Sequence, residues 1–308
     1  MGLGGALVWT AVFKNIKKQH PNKKIIYIYD VPFKNFLKGK RHPDFSIYEN
    51  NKDLTFKVPN FLYKRFKFFF DSKLFFKIKT QNSSLPFTDD INKDKISYKN
   101  GKHMVDYICK DLDINVTSYN PKILLSKQEV LNANTAVNNL IEQHSKFICI
   151  EPNFKPSFTV NKAWFWDRWQ ELVDKTNHYI KENDLDIKIL QVGAPKSKTL
   201  KGVIDFTNQG LSFRETAGVL AKSEFFIGYM GGLIHLNKAV EGKSIVLISG
   251  FEPLELATYS DDINIYKRQD CSNCGLLLKP CPIERKCMQD ISVDEVYDEI
   301  IKKLKDIK

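Results

Sequence analysis

Ser223-Glu-Phe-Phe-Ile-Gly-Tyr-Met-Gly-Gly-Leu-Ile-His235 passes from an apolar run into a glycine pair and then into a helical pattern. It reads as a strand, a tight loop and a helix start. Gly231 and Gly232 let backbone N–H groups come close to a ligand, and the helix that follows offers unpaired donors with a partial positive charge. A phosphate is the expected guest of such a loop. Leu233 continues the apolar face, and His235 falls in the first helical turn, expected to face the same crevice.

Around this stretch the chain alternates strands and helices. Phe147-Ile-Cys-Ile150 and Ile187-Lys-Ile-Leu-Gln-Val192 read as strands, and Glu224–Ile227 and Ser244–Ile248 continue the series on either side of the glycine loop. Continuous apolar runs of this length suit buried parallel strands. Trp164 to about Lys181 reads as a helix. Capping boxes at Ser126-x-x-Glu129, Ser212-x-x-Glu215 and Ser292-x-x-Glu295 open three more, the first reaching about His144.

The N-terminal half carries a related but less regular pattern. Leu7, Val8, Ala11, Val12 and Ile16 form an apolar stripe on a helix ending near His20-Pro21, and Lys24–Asp30 reads as a buried strand. A glycine turn, a helix and a strand make a βαβ unit whose first strand is missing. Phe45–Asn50 and Lys122–Leu125 read as further strands, and Gly101–Ile114 as a helix. Between Phe61 and Lys79, Phe and Lys alternate in clusters, as in Tyr63-Lys-Arg-Phe-Lys-Phe-Phe-Phe70. Three readings stand in order: core strands with exposed Lys, a membrane-surface face, and a nucleic-acid stacking platform. The expected architecture is α/β, with two Rossmann-like doubly wound domains facing across a cleft, 1–144 and 145–308, divided near Gln143–Lys146.

At 308 residues and 43% apolar content, the chain can bury two cores, and no apolar run is long enough to span a membrane. No signal peptide is evident at Met1, so the expected compartment is the cytoplasm, with peripheral contact to an anionic inner membrane as a further expectation. The formal charge of +11, from 47 Lys and Arg against 36 Asp and Glu, attracts anions without choosing among them. A Lys-rich solvated surface accounts for much of it.

The cysteines divide into two groups. Cys109 and Cys149 sit in apolar patterns as small core residues. Cys271, Cys274, Cys281 and Cys287 fall within 17 residues, with Gly275, Pro280 and Pro282 forcing turns between them. Cys-x-x-Cys is a metal-knuckle spacing, and four clustered thiols in a reducing compartment suit structural zinc or iron, with four reduced thiols as the alternative.

The order Lys162-Ala-Trp164 with Trp169, then Gly193-Ala-Pro195, then Gly228–Leu236, then the cysteine cluster ending Cys287-Met288, resembles the bacterial heptosyltransferases of glycosyltransferase family 9. That resemblance implies the GT-B arrangement and inverting transfer of a sugar, often a heptose, from a nucleotide diphosphate donor, without a catalytic divalent metal. The implied acceptor is a saccharide, a lipid-linked glycan as in lipopolysaccharide, or a protein, held by the N-terminal domain. In the family's pattern Lys162 contacts the donor phosphates, Gly231, Gly232 and Leu233 form the pyrophosphate loop, and His235 is the histidine at the helix start. Gly193 closes the strand near the nucleoside, and Leu211 is an apolar position near the base. Some relatives that modify autotransporter proteins are similar in carrying an iron-binding cysteine cluster.

The chain departs from that pattern at three carboxylates. Gly5 stands where the family has its proposed general base, Met230 precedes the loop glycines in place of an Asp, and Lys196 or Ser197 replaces an acidic residue. The catalytic residue is therefore unassigned; Asp30, at the end of its strand, could face the cleft, as do many strand-end residues that merely cap loops. Two rivals follow: a catalytically impaired relative that only binds nucleotide-sugar, and a basic nucleic-acid or membrane-surface binder. Nucleic acid is disfavoured for want of a binding motif.

Overall fold

The computed structural model describes residues 2–30, 46–79, 96–98, 101–142, 145–154, 158–277 and 279–307. The chain divides into two compact units, Met1–Leu85 with Met104–Leu124, and Pro86–His103 with Leu125–Lys308. This differs from a single boundary near 143–146, because residues 86–103 and 125–142 go with the second unit.

In the first unit, helix α1 (Leu3–Gln19) precedes strand β1 (Lys24–Tyr29), which lies between β2 (Leu54–Pro59) and β3 (Phe75–Lys79), all parallel. Ile26, Ile28, Val58, Tyr63 and Phe75 make one core cluster. On α1, the rings of Trp9 and Phe13 meet those of Tyr27 and Tyr48 at centroid separations of 5.3–6.3 Å. Helix α4 (Met104–Asp111) packs on α1.

Three expectations fail here for local reasons. Residues 46–50 form turns, with Glu49 N–H donating to Ser46 O and Asn50 at φ 60°, so no strand runs through them; Phe45 lies outside the described residues. Lys122–Leu125 is an irregular connection, not a strand. Its Lys122 N–H donates to Thr10 Oγ1 of α1 at 2.8 Å, and Asn15 accepts from Thr117 N–H and donates to Ser118 O at 2.8 Å each. Side chains of a helix thus take the backbone groups that a neighbouring strand would have used. The Phe/Lys segment opens with two short helices, α2 (Asn60–Arg65) and α3 (Lys67–Phe70), and only its end becomes a strand.

The second unit is a six-stranded parallel sheet in the order β6-β5-β4-β7-β8-β9. The strands are β4 (Lys146–Glu151), β5 (Ile187–Gln191), β6 (Ile204–Asp205), β7 (Phe226–Tyr229), β8 (Ser244–Ile248) and β9 (Ile263–Tyr266). Counted from β4, that order is 3-2-1-4-5-6, the doubly wound order whose direction reverses between β4 and β7.

Alternation along each strand sorts its side chains to two faces. Ile148, Ile150, Ile189, Ile227, Ile245 and Leu247 pack against α6 (Trp166–Glu182) and α10 (Val293–Asp306). The opposite face carries Cys149, Phe226, Val246 and Ile248. α5 (Lys127–Asn138), α7 (Phe213–Leu220) and α8 (Gly232–Ala239) make a second helical layer, α7 packing on both of the others. Of the three expected capping boxes, those at Ser126 and Ser212 are formed, and at the third Ser292 accepts from Glu295 N–H. A last short helix, α9 (Lys286–Gln289), closes the cysteine segment. Cys109 and Cys149 are buried, and burial pushes each thiol up to about 12.

Among the described residues, no helix is long and apolar enough to cross a membrane.

Candidate functional site

In a doubly wound sheet, ligands settle at the carboxyl ends of the strands where the order reverses. Here that point is defined by the ends of β4 and β7, with Glu151 paired opposite Gly228. The glycine loop follows two residues later. Gly231 is the N-cap of α8, extended and without a capping side chain, and Gly232 is exposed at the first helical position. The first N–H groups of α8 therefore have no side-chain cap, and the helix dipole adds positive potential at the same place. A Cβ on Gly231 would come within 3.3 Å of the Tyr229 ring.

His235 is buried one turn into α8, and its Nδ1 lies 2.7 Å from the Tyr259 hydroxyl. Burial drives its pKa down to about 3, with positive charge from His103 and Lys162 adding to the effect. His235 is thus a neutral imidazole at ordinary pH.

Lys162 lies in the connection that leaves β4. Its Nζ pairs with Glu252, and each side chain is only 12% exposed. The ammonium also sits 4.9 Å from the centre of the Phe251 ring and 5.7 Å from that of Phe158. Glu252 and Phe251 follow β8, so two connections at the same edge of the sheet hold one cation.

Gly193 follows β5 at φ +152°, a conformation that favours glycine. Leu211 is half-buried just before the N-cap of α7. Both belong to connections at the carboxyl edge that also carries the glycine loop, as the parallel topology requires. Leu233 is buried in α8. In the first unit, Gly5 lies within α1, and Asp30 accepts from Asn60 Nδ2 at 2.8 Å.

The cysteine cluster corrects an expectation. All four residues are described, yet among the described residues no group of three or more His, Cys, Asp or Glu side chains is placed to hold a metal ion. Cys271 is exposed while Cys287 is buried, and burial together with the neighbouring thiols pushes Cys274 and Cys287 up. Hydrogen bonds hold this segment to its surroundings. Asn161 donates to Leu276 O and Lys279 O at 2.9 Å each and accepts from Cys281 N–H at 3.0 Å. Asn273 and Cys274 N–H both donate to Gly250 O, and Ile96 N–H donates to Gly275 O. A cavity of about 680 Å³ lies between this segment and the start of α6, lined by residues including Asn153, Phe154, Trp166 and Arg285.

Sequence reasoning missed Glu151, Glu252 and Tyr259. Glu151 carried a usable signal, since it is the one carboxylate ending the apolar run Phe147–Ile150. Glu252 and Tyr259 come from connections without a motif.

No family model and no curated protein matches the sequence. Among solved structures, the glycosyl transferase family 9 protein from Veillonella parvula DSM 2008 is similar at a TM-score of 0.71 and 14% identity, over 99% of this chain and 95% of that one. The chain has the fold of the family 9 glycosyltransferases. The iron-containing dodecameric glycosyltransferase TibC from enterotoxigenic E. coli H10407 is similar at a TM-score of 0.60 and 15% identity, over 93% of this chain and 77% of that one. TibC has also been solved in complex with ADP-D-beta-D-heptose. The E. coli ADP-heptose lipopolysaccharide heptosyltransferase II is similar at a TM-score of 0.58 and 12% identity, over 98% and 96% of the two chains.

Proposed function

We propose that the protein is a nucleotide-sugar-dependent glycosyltransferase that moves a heptose-like sugar, with inversion, to a saccharide or protein hydroxyl. The observation that supports this reading is the start of α8 at the Gly231–Gly232 loop, where no side chain of the N-cap residue occupies the first N–H groups, beside the reversal of strand order. Backbone N–H groups of the loop and the start of α8 would receive the diphosphate. Leu211 would contact the base and Gly193 the nucleoside. The Lys162 ammonium would offset charge that grows on the diphosphate as the glycosidic bond breaks. Because Glu252 already holds that ammonium, ligand binding would exchange or share its partner. The fold shared with TibC, which binds ADP-D-beta-D-heptose, supports the choice of donor class.

A melting-temperature screen against nucleoside diphosphates and their sugar conjugates tests the reading. A cognate ligand at a hundred times its Kd should stabilise the protein by about 2.7 kcal/mol, and Lys162→Ala should remove most of that shift. Absence of any shift across adenine, uridine and guanosine conjugates sinks it.

A second reading concerns the first unit. Phe66, Phe68 and Phe69 are exposed, Phe68 by 98%, beside Lys64, Arg65 and Lys67. Aromatic rings with flanking cations suit the headgroup region of an anionic membrane. Binding to phosphatidylglycerol vesicles should weaken with salt and with Phe68→Ser plus Phe69→Ser. Binding to RNA instead of vesicles would reject it.

A further inference from the structure

Glu151 is the last residue of β4, at the strand-order reversal itself. It shares the strand face of Cys149, the side opposite the core formed with α6 and α10. Its neighbour across the ladder is Gly228, where a Cβ would stand 3.6 Å from that of Glu151 and collide with the Phe226 ring at 2.8 Å. With no side chain at Gly228, the Phe226 ring closes over that position next to Glu151, three residues before the glycine loop. Glu151 Oε2 is buried and has no hydrogen-bond partner among the described residues. A buried carboxyl oxygen without a partner costs free energy, so its retention calls for a ligand.

We propose that Glu151 meets the donor directly, its free carboxyl oxygen giving a hydrogen bond to an oxygen of the diphosphate held at the Gly231–Gly232 loop. This rests on the nucleotide-sugar reading above and adds a recognition group to it. A carboxylate there would repel the diphosphate; a neutral acid donates to it. Burial raises this carboxyl to about 8, so at neutral pH the acid form prevails. Of the titratable side chains on the surrounding elements, Tyr229 follows from β7, His235 from α8 and Lys162 from the connection leaving β4, while Arg214 of α7 is engaged by Glu129. Burial alone produces the shift. The role is binding and orientation of the leaving group, and no proton changes hands.

The test measures affinity for ADP-, UDP- and GDP-glucose by calorimetry between about pH 6 and pH 9, a range in which a group of pKa near 8 changes charge. Wild type should bind about tenfold more weakly at pH 9 than at pH 7, following loss of the acid proton. Glu151→Gln, which donates through its amide at any pH, should bind within about threefold of wild type at pH 7 and lose the pH dependence. Glu151→Leu should bind at least about tenfold more weakly with its melting temperature preserved, a fall a merely space-filling side chain would not give. Identical pH profiles for wild type and Glu151→Gln overturn the proposal, and this comparison stands even should Glu151→Leu fail to fold. If the wild type binds none of the probes, the donor reading itself fails.

Discussion

The Lys162 ammonium and the Glu252 carboxylate face each other across two connections at the carboxyl edge of one sheet, nearly shielded from water and roofed by the Phe251 ring. Removing one partner strands the other charge. Lys162→Ala should therefore cost on the order of 3 kcal/mol of stability, whereas pairing Lys162→Met with Glu252→Leu should recover most of it. Denaturant melts of the single and double variants check this. A double variant as unstable as the single one would show that the stranded Glu252 charge is not the source of the loss.

His235 and Tyr259 predict an acid-sensitive window. In the unfolded chain the imidazole titrates near 6.5, but in the native state burial holds it down to about 3. Between those values the unfolded chain binds a proton that the native chain refuses, so stability is full above 6.5 and falls as pH drops toward 3. Each pH unit in that window costs at most about 1.4 kcal/mol. His235→Gln should flatten this part of a melting-temperature profile. Tyr259→Phe should lower stability by about 1 kcal/mol at neutral pH by removing the partner of Nδ1.

Glu129 serves two structures at once. It closes the capping box of α5 with Ser126 and accepts from Arg214 of α7, with Nη2 to Oε2 at 3.0 Å. Arg214, with help from the cap, holds its carboxyl down to about 2 from an ordinary 4.5. That stabilisation is present above 4.5 and lost as pH falls toward 2. Glu129→Gln should cost about 1–2 kcal/mol at pH 7 after allowance for partial solvent screening. Near pH 2, where the native carboxyl takes up its proton, the difference should shrink, as acid melts of both forms will read.

Asn161 is the anchor of the cysteine segment. Asn161→Ala removes two donors and one acceptor from that loop. It should destabilise the protein by about 2 kcal/mol. The thiols of Cys274 and Cys281 should also react faster with a disulfide reagent, measured by absorbance under native conditions. Unchanged thiol kinetics would place the anchoring elsewhere.

The second unit was legible because its strands are buried on both faces and its helices announce themselves with capping residues. Phe147–Ile150 and Ser244–Ile248 are unbroken apolar runs, and Ser126, Ser212 and Ser292 fix where helices begin. Lys122–Leu125 misled because Ile123 is buried without a strand partner, its connection being held by Thr10 and Asn15. The two-residue β6 is too short for any periodicity to show. At the site, the glycine loop and His235 follow from local pattern, whereas Glu252 and Tyr259 reach it through long-range contacts. The cysteine spacing suggested a cage, but spacing says nothing of the Asn161 bonds that hold the loop.

The second unit takes in two pieces of chain that precede its first strand. Ile96 bonds to Gly275, the Tyr98 ring meets Phe251 edge-on at 6.0 Å, and Glu129 grips Arg214, all upstream of Lys146. The polypeptide therefore passes from one unit to the other three times. Expression of a fragment beginning near residue 145 would strip away both pieces, and a single nick would not release an intact half. Dissection of this two-unit scaffold calls for circular permutation or co-expression of matched fragments, not truncation.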